Sequence, residues 1–312
     1  MHRKLAALTL LLTYLTIVLG AATRVWDAGM SCPDWPTCYG VWNPFHPDAM
    51  PVGGYVVNGM VYTVHQVALE WTHRLCAALV GFGLIGLLVG AVRQGRNHPW
   101  LPLSAAFVLL ALQVKLGALT VWMNNVNWSV AIHLGNAMLM FGALAWYSRT
   151  LRAGQGPFKA PAVSSLCKAL VVVLPVAVLA TMMLGAYVSS SHAGGVCGGL
   201  FSCAGNWMPS DIDQLVHMKH RYMALATVVL AVALRLVASN QPSPMPHAAR
   251  ALDGMVLGQV ALGIATLYSF EHYAQHYQWL SLGHLAWGTL VWLVAVGTAM
   301  NLYYGHAGRA HG

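Results

Sequence analysis

The sequence predicts an all-α integral membrane protein. Eight transmembrane helices form two tandem four-helix bundles, related by a pseudo-two-fold axis along the membrane normal. Three observations carry this: an apolar composition, eight stretches of spanning length, and an internal repeat whose unit is four stretches. Of 312 residues, 58% are hydrophobic and 8% charged, against about 25% charged in soluble domains. A chain so poor in charge belongs in lipid.

About 20 apolar residues in a helix cross a bilayer core. Stretches near that length run over residues 5–22, 67–92, 101–121, 130–146, 166–188, 215–237, 255–270 and 280–303. Lys and Arg accumulate in cytoplasmic loops. Arg3, Lys4, Arg93, Arg96, Arg149, Arg152, Lys159, Lys168, Arg235, Arg250 and Arg309 all fall on one side, 11 of the 16 basic residues. The opposite loops carry Asp27, Asp34, Asp48, Asp211, Asp213 and Glu271. Both termini are therefore expected in the cytoplasm. The net charge of +8 reads as a topology signal, since no basic run interleaved with aromatics marks a nucleic-acid site. The first stretch has the basic start and small residues of a secretory signal, but its counterpart in mid-chain argues that it is a retained helix.

That counterpart belongs to the repeat. Gly20, Ala28, Gly29, Cys32 and Cys38 match Gly185, Ala193, Gly194, Cys197 and Cys203 at one ungapped offset, 185 − 20 = 165. Gln113, Val114, Leu116, Gly117 and Thr120 match Gln259, Val260, Leu262, Gly263 and Thr266; His73-Arg74 matches His220-Arg221, and His133-Leu134 matches His284-Leu285. Helices one to four thus recur as five to eight. An even number per unit gives both halves one orientation, the parallel-repeat arrangement. The Pro- and Gly-containing linker 153–161 places the boundary near Ala160, dividing the chain into 1–160 and 161–312.

Of the 15 histidines, His2, His46, His98, His192, His247, His272, His276, His306 and His311 are assigned to loops or tails. His73, His133, His220 and His284 lie inside helices two, four, six and eight. Each is about 15–20 residues from the cytoplasmic end, or about 22–30 Å at 1.5 Å per residue. Ionisable groups in hydrocarbon are costly and mark function. One buried histidine is explained by an interhelical hydrogen bond; four at one depth, two per repeat, point to axial ligands of heme iron. The expected pairs are His73 with His133 and His220 with His284. Glu70, three residues before His73, shares its helix face, where a carboxylate can move protons or stabilise positive charge; the alternative is a partner for Arg74 or a group wetted at the outer interface. The second half has His217 there, so the halves are expected to have diverged into one catalytic and one supporting site. Arg74 and Arg221 are expected either to pair with heme propionates or to snorkel to the interface.

Cys32 and Cys38 share one extracytoplasmic loop, and Cys197 and Cys203 share its equivalent, in a compartment that permits disulfides. A five-residue spacer lets each pair close locally, as a structural or a redox-active bridge. The spacing does not suit zinc. Cys76 and Cys167, in helices, read as small buried hydrophobes.

Glu70-Trp71-Thr72-His73-Arg74, together with His133, His220, His284 and the loop Cys32-Pro33-Asp34-Trp35-Pro36-Thr37-Cys38, closely resembles the heme A synthase family over essentially the whole chain. The resemblance implies an oxidoreductase of the bacterial plasma membrane. It would oxidise the C8 methyl of heme O by two successive hydroxylations, through a gem-diol that loses water, giving the formyl group of heme A for cytochrome oxidase. It implies that His73, His133 and Arg74 bind substrate heme O and that Glu70 serves the oxidation. His220, His284 and Arg221 would bind a heme b cofactor. Cys32 and Cys38 match the family's loop pair, for which redox transfer and shaping of the site are both proposed. The pathway makes heme O synthase an expected partner beside membrane lipid, and a homo-oligomer is compatible with the chain. Lys115 and Lys219 have no role in this scheme. A diheme electron-transfer protein handling quinol is the rival reading, disfavoured by Glu70 standing in one half alone; a heme or solute transporter is another, disfavoured by an axial ligand set on both repeats.

Overall fold

The computed structural model describes residues 2–46, 55–95, 98–153, 162–273 and 276–304. The expected boundary near Ala160, His306 and His311 lie outside them. Among the described residues eight helices are long and apolar enough to cross a membrane: α1 (His2–Val25), α2 (Val64–Gln94), α3 (Trp100–Trp122), α4 (Asn127–Ala153), α5 (Ser165–Ser190), α6 (Ile212–Ala238), α7 (Met245–His272) and α8 (Tyr277–Tyr304). Each covers one expected apolar stretch and outruns it at both ends, by one residue at each end of α3 and by up to ten at the start of α7. Apolarity marks only the lipid core, whereas caps at the ends decide where a helix stops. Thr63 and Gln66 form a reciprocal capping box at α2, and the Asp211 carboxylate accepts from two backbone N–H groups at α6, satisfying donors that a helix start leaves unpaired.

Helix packing follows the repeat. α1 packs on α2 as α5 does on α6, α3 on α4 as α7 on α8, α1 on α4 as α5 on α8, and α2 on α3 as α6 on α7. Between the halves α4 meets α5 as α8 meets α1, while α4 also packs on α8 and α1 on α5. Exchanging the halves leaves this set unchanged. The largest buried cluster straddles the junction, joining Ile17, Met138 and Phe141 to Leu174, Leu234, Leu252 and Trp292. Trp292 lies so close to Gly142 that a Cβ there would meet its ring at 2.6 Å, so the close approach of α4 and α8 requires that glycine. Polar contacts cross as well: Arg24 donates to the Ser189 carbonyl at 2.6 Å, and Arg149 to Asn301 at 2.5 Å.

One element departs from the sequence reading. β1 (Tyr55–Val57) and β2 (Met60–Tyr62) pair antiparallel across Asn58 and Gly59, both at positive φ. An Asn-Gly pair between apolar runs is a strong short-range hairpin signal. The repeat offset also falls from 165 at Cys38 to 220 − 73 = 147 at His73, so the first half carries 165 − 147 = 18 extra residues in this interval. The hairpin packs with Cys32, Cys38 and Val67 into a small cluster at that end of the molecule.

Three of the histidine assignments need correction. His2 opens α1, and His247 and His272 lie within α7. His2 and His98 both hydrogen-bond the Tyr147 hydroxyl, at 2.5 and 2.6 Å, and Tyr147 is fully buried. His98 remains in a connection but is buried. Burial, and then the neighbouring His2, hold its pKa below the ordinary imidazole value. A base with a depressed folded pKa supplies its stabilisation above its unfolded pKa and loses it as pH falls toward the folded one. The melting temperature in detergent should therefore drop below about pH 6.5, and His98→Gln should flatten that drop; an unchanged profile would refute the assignment.

Candidate functional site

The four intramembrane histidines start from equivalent places. They lie nine, six, eight and seven residues beyond the starts of α2, α4, α6 and α8 (73 − 64, 133 − 127, 220 − 212, 284 − 277). At 1.5 Å per residue this puts all four about 9–14 Å below their helix starts. One continuous cavity of about 2010 Å³ touches all four. That is at least twice the usual size of a small-molecule site, about 300–1,000 Å³.

Each imidazole is set by a neighbouring helix. His73 Nδ1 lies 3.0 Å from the Thr16 carbonyl, and His220 Nδ1 lies 3.0 Å from the Thr181 carbonyl, with 181 − 16 = 165 again. A carbonyl accepts only, so Nδ1 carries the proton and Nε2 is left as a lone-pair donor. Metal-binding histidines are oriented in just this way. Gln113 reaches His133 Nε2 at 3.1 Å and Gln259 reaches His284 Nε2 at 3.2 Å. In addition, a glycine backs every ring. A Cβ on Gly20, Gly117, Gly185 or Gly263 would meet Cε1 of His73, His133, His220 or His284 at 2.8, 3.3, 3.0 and 3.0 Å. The repeat's matched glycines and glutamines are thus the seats of the matched histidines.

The cysteine loops cover the same end. Disulfides join Cys32 to Cys38 and Cys197 to Cys203, the expected pairing. Each loop closes by a backbone bridge, Cys38 with Val41 and Cys203 with Asn206, around a two-residue turn at positive φ, Tyr39-Gly40 and Ala204-Gly205. Glycine at the second position relieves the strain of that turn. The arginines hold the loops in place. Arg74 donates to the carbonyls of Asp34, Thr37 and Cys32, and Arg221 to those of Gly199, Leu200 and Cys197. Removing the Cys197–Cys203 bridge by Cys197→Ser should lower detergent stability by about 2–4 kcal/mol, read as a shifted melting curve; an unshifted curve would refute a structural role for it.

Glu70 has a role in this scaffold that sequence spacing did not indicate. It is 4% exposed and borders the cavity. It accepts from the Ser31 hydroxyl at 2.9 Å and the Cys32 N–H at 2.8 Å, and pairs with Arg74 at 2.5 Å. Glu70 therefore ties the first disulfide loop to α2. In the second half His217 replaces Glu70 and Val196 replaces Ser31 (31 + 165), so carboxylate and hydroxyl are exchanged together. Ser31, Gln113 and Gln259 are site residues that the sequence reading did not single out, although the glutamines stood within its repeat. Lys115 and Lys219 are exposed and do not border the cavity; such long side chains can carry their charge to the interface.

A multi-pass membrane bundle with two imidazole pairs on one cavity, each ring held by a partner on a neighbouring helix, has the arrangement by which proteins hold metal-centred planar groups. The chain belongs to the COX15-CtaA family, described as cytochrome oxidase assembly protein, whose model matches residues 3–296. Among curated relatives, a heme A synthase of Shewanella oneidensis is 30% identical over 291 residues, covering 84% of this chain and 86% of that protein. A heme A synthase of Shouchella clausii is 25% identical over 280 residues, covering 86% and 87%. Another, of Methylobacterium radiotolerans, is 30% identical over 290 residues, covering 80% and 77%.

Proposed function

We propose that this chain is a heme A synthase, an oxidoreductase of a bacterial membrane that converts heme O to heme A. The observation that carries this reading is the placement of four imidazoles on one cavity in a chain of that family. The residues fit a heme. His220 and His284 have ring centres 6.5 Å apart; two imidazoles gripping one metal through bonds of about 2 Å stand roughly 6 Å apart. His284 Nδ1 and Gln259 Oε1 are both buried without a partner among the described residues. Were His284 Nε2 given to an iron, His284 Nδ1 would carry the ring proton and Gln259 Oε1 would be a buried acceptor for it, a pairing that buried polar groups strongly favour.

In this reading residues 1–160 take heme O between His73 and His133, and residues 161–312 hold a resident heme b between His220 and His284. The halves are related by a two-fold axis along the membrane normal, with both termini in the cytoplasm. A bound heme b supplies reversible one-electron chemistry. Around it and the substrate, the chain's own groups orient and exclude. Thr16 and Thr181 fix the imidazole tautomers, the disulfide loops limit water, and Arg74 and Arg221 clamp those loops, leaving propionates as a further use of the same guanidinium groups. Glu70, paired with Arg74, serves proton transfer at the reacting methyl. Heme O synthase is the upstream partner in this scheme.

The test is to express the protein with a heme O source, purify it and analyse extracted pigments by mass spectrometry. Heme A or its hydroxymethyl precursor is expected. Heme b alone, in a protein reduced by quinol, would contradict the synthase reading in favour of electron transfer.

A further inference from the structure

Two tryptophans occupy equivalent positions on the rim of the cavity, 207 − 42 = 165 residues apart, the same offset as the cysteines. Each directly follows the backbone bridge that closes its disulfide loop. The carbonyl of each is also held by an aromatic donor from the following helix, Trp42 by Trp71 Nε1 at 2.7 Å and Trp207 by the Tyr222 hydroxyl. Their backbones are therefore fixed, yet their side chains are 75% and 60% exposed while bordering the same cavity as the four histidines.

Exposed tryptophan in a membrane protein ordinarily belongs to the aromatic belt at the lipid interface. Trp122 and Trp279 fit that description, at 72% and 66% exposed and away from the cavity. Trp42 and Trp207 do not, because they face the cavity. A large flat apolar surface that a rigid loop holds uncovered at a cavity mouth is suited to cover a second flat apolar surface, and aromatic side chains favour offset or edge-on contact with such a partner.

We propose that Trp207 forms a wall against the resident heme of the second half and that Trp42 forms the corresponding wall against the substrate heme of the first. The proposal rests on the heme-binding reading above and adds a binding residue to each half-site. It also gives the two disulfide loops a shared purpose, since each fixes one indole.

The test follows heme release from the purified holoprotein to excess apomyoglobin, read in the Soret band without any turnover. Trp207→Ala should release heme b about tenfold faster than the unaltered protein, the size expected for loss of one aromatic contact with its burial. Trp207→Phe should stay within about threefold of the unaltered rate, and Trp122→Ala should match it. Should the alanine variant fail to purify, Trp207→Leu keeps the apolar bulk without the ring and should still release faster. Release from Trp207→Leu or Trp207→Ala at the unaltered rate overturns the proposal. His220→Ala separates this from failure of the underlying reading. If that variant has lost its heme while the Trp207 variants release normally, the tryptophan wall alone is wrong; if it keeps its heme, the heme-binding reading falls with it.

Discussion

Glu70→Gln should leave the resident heme b in place and abolish formation of heme A. The amide still accepts from the Cys32 N–H and the Ser31 hydroxyl, the two neutral contacts of the carboxylate, so the loop has what it needs to stay docked. What disappears is the charge facing Arg74 at 2.5 Å and the capacity to take a proton. General acid–base groups contribute roughly 10²–10⁴-fold to rate, and product formation should fall by that order. Breaking one side of a buried ion pair is also destabilising, by about 3–5 kcal/mol in fully buried cases. A lowered melting temperature should accompany the loss. Heme analysis of the purified variant checks both parts. Normal heme A content would remove Glu70 from the chemistry, whereas loss of both hemes would reduce it to a scaffold residue.

Gly20→Ala and Gly185→Ala should have the next largest effects, each confined to its own half. A Cβ on Gly20 would stand 2.8 Å from His73 Cε1, and one on Gly185 would stand 3.0 Å from His220 Cε1. Neither ring can retreat without straining its bond to Thr16 or Thr181. Overpacking costs about 1–3 kcal/mol and a disturbed hydrogen bond about 0.5–1.5 kcal/mol. Heme affinity in the affected half should therefore drop by at least about tenfold. Titration of the purified variants with heme checks this, and unchanged affinity in both would show that the histidines are not seated against these glycines.

The fold was legible in the sequence because lipid imposes a simple rule: each spanning helix must be apolar for about 20 residues, and all eight were visible on that basis. The repeat was legible because the residues that seat the histidines cannot vary freely. Gly20 and Gly185 recur because nothing larger fits beside the histidines, and Cys32–Cys38 recurs as Cys197–Cys203 because each loop closes on itself. Three features were hidden for physical reasons. The hairpin at Tyr55–Tyr62 lay in the interval between two spanning stretches, where helix periodicity says nothing, although Asn58-Gly59 marked its turn. His2 joined His98 and Tyr147 through contacts between residues 49 to 145 positions apart, which no local pattern records. Helical spacing placed Glu70 on the face of His73, but it could not show that the carboxylate would accept from Ser31 and Cys32 in a loop almost 40 residues earlier. The same applies to Arg74 and Arg221, whose donors reach loop carbonyls that carry no side-chain signature.

The central claim is that the two halves divide the work, substrate in the first and resident cofactor in the second. The most direct test counts hemes per chain in purified His73→Ala and His220→Ala, produced in cells that make heme b and heme O. The account predicts that His73→Ala keeps heme b and loses heme O, while His220→Ala loses heme b. Heme b retained in His220→Ala but lost from His73→Ala would contradict it.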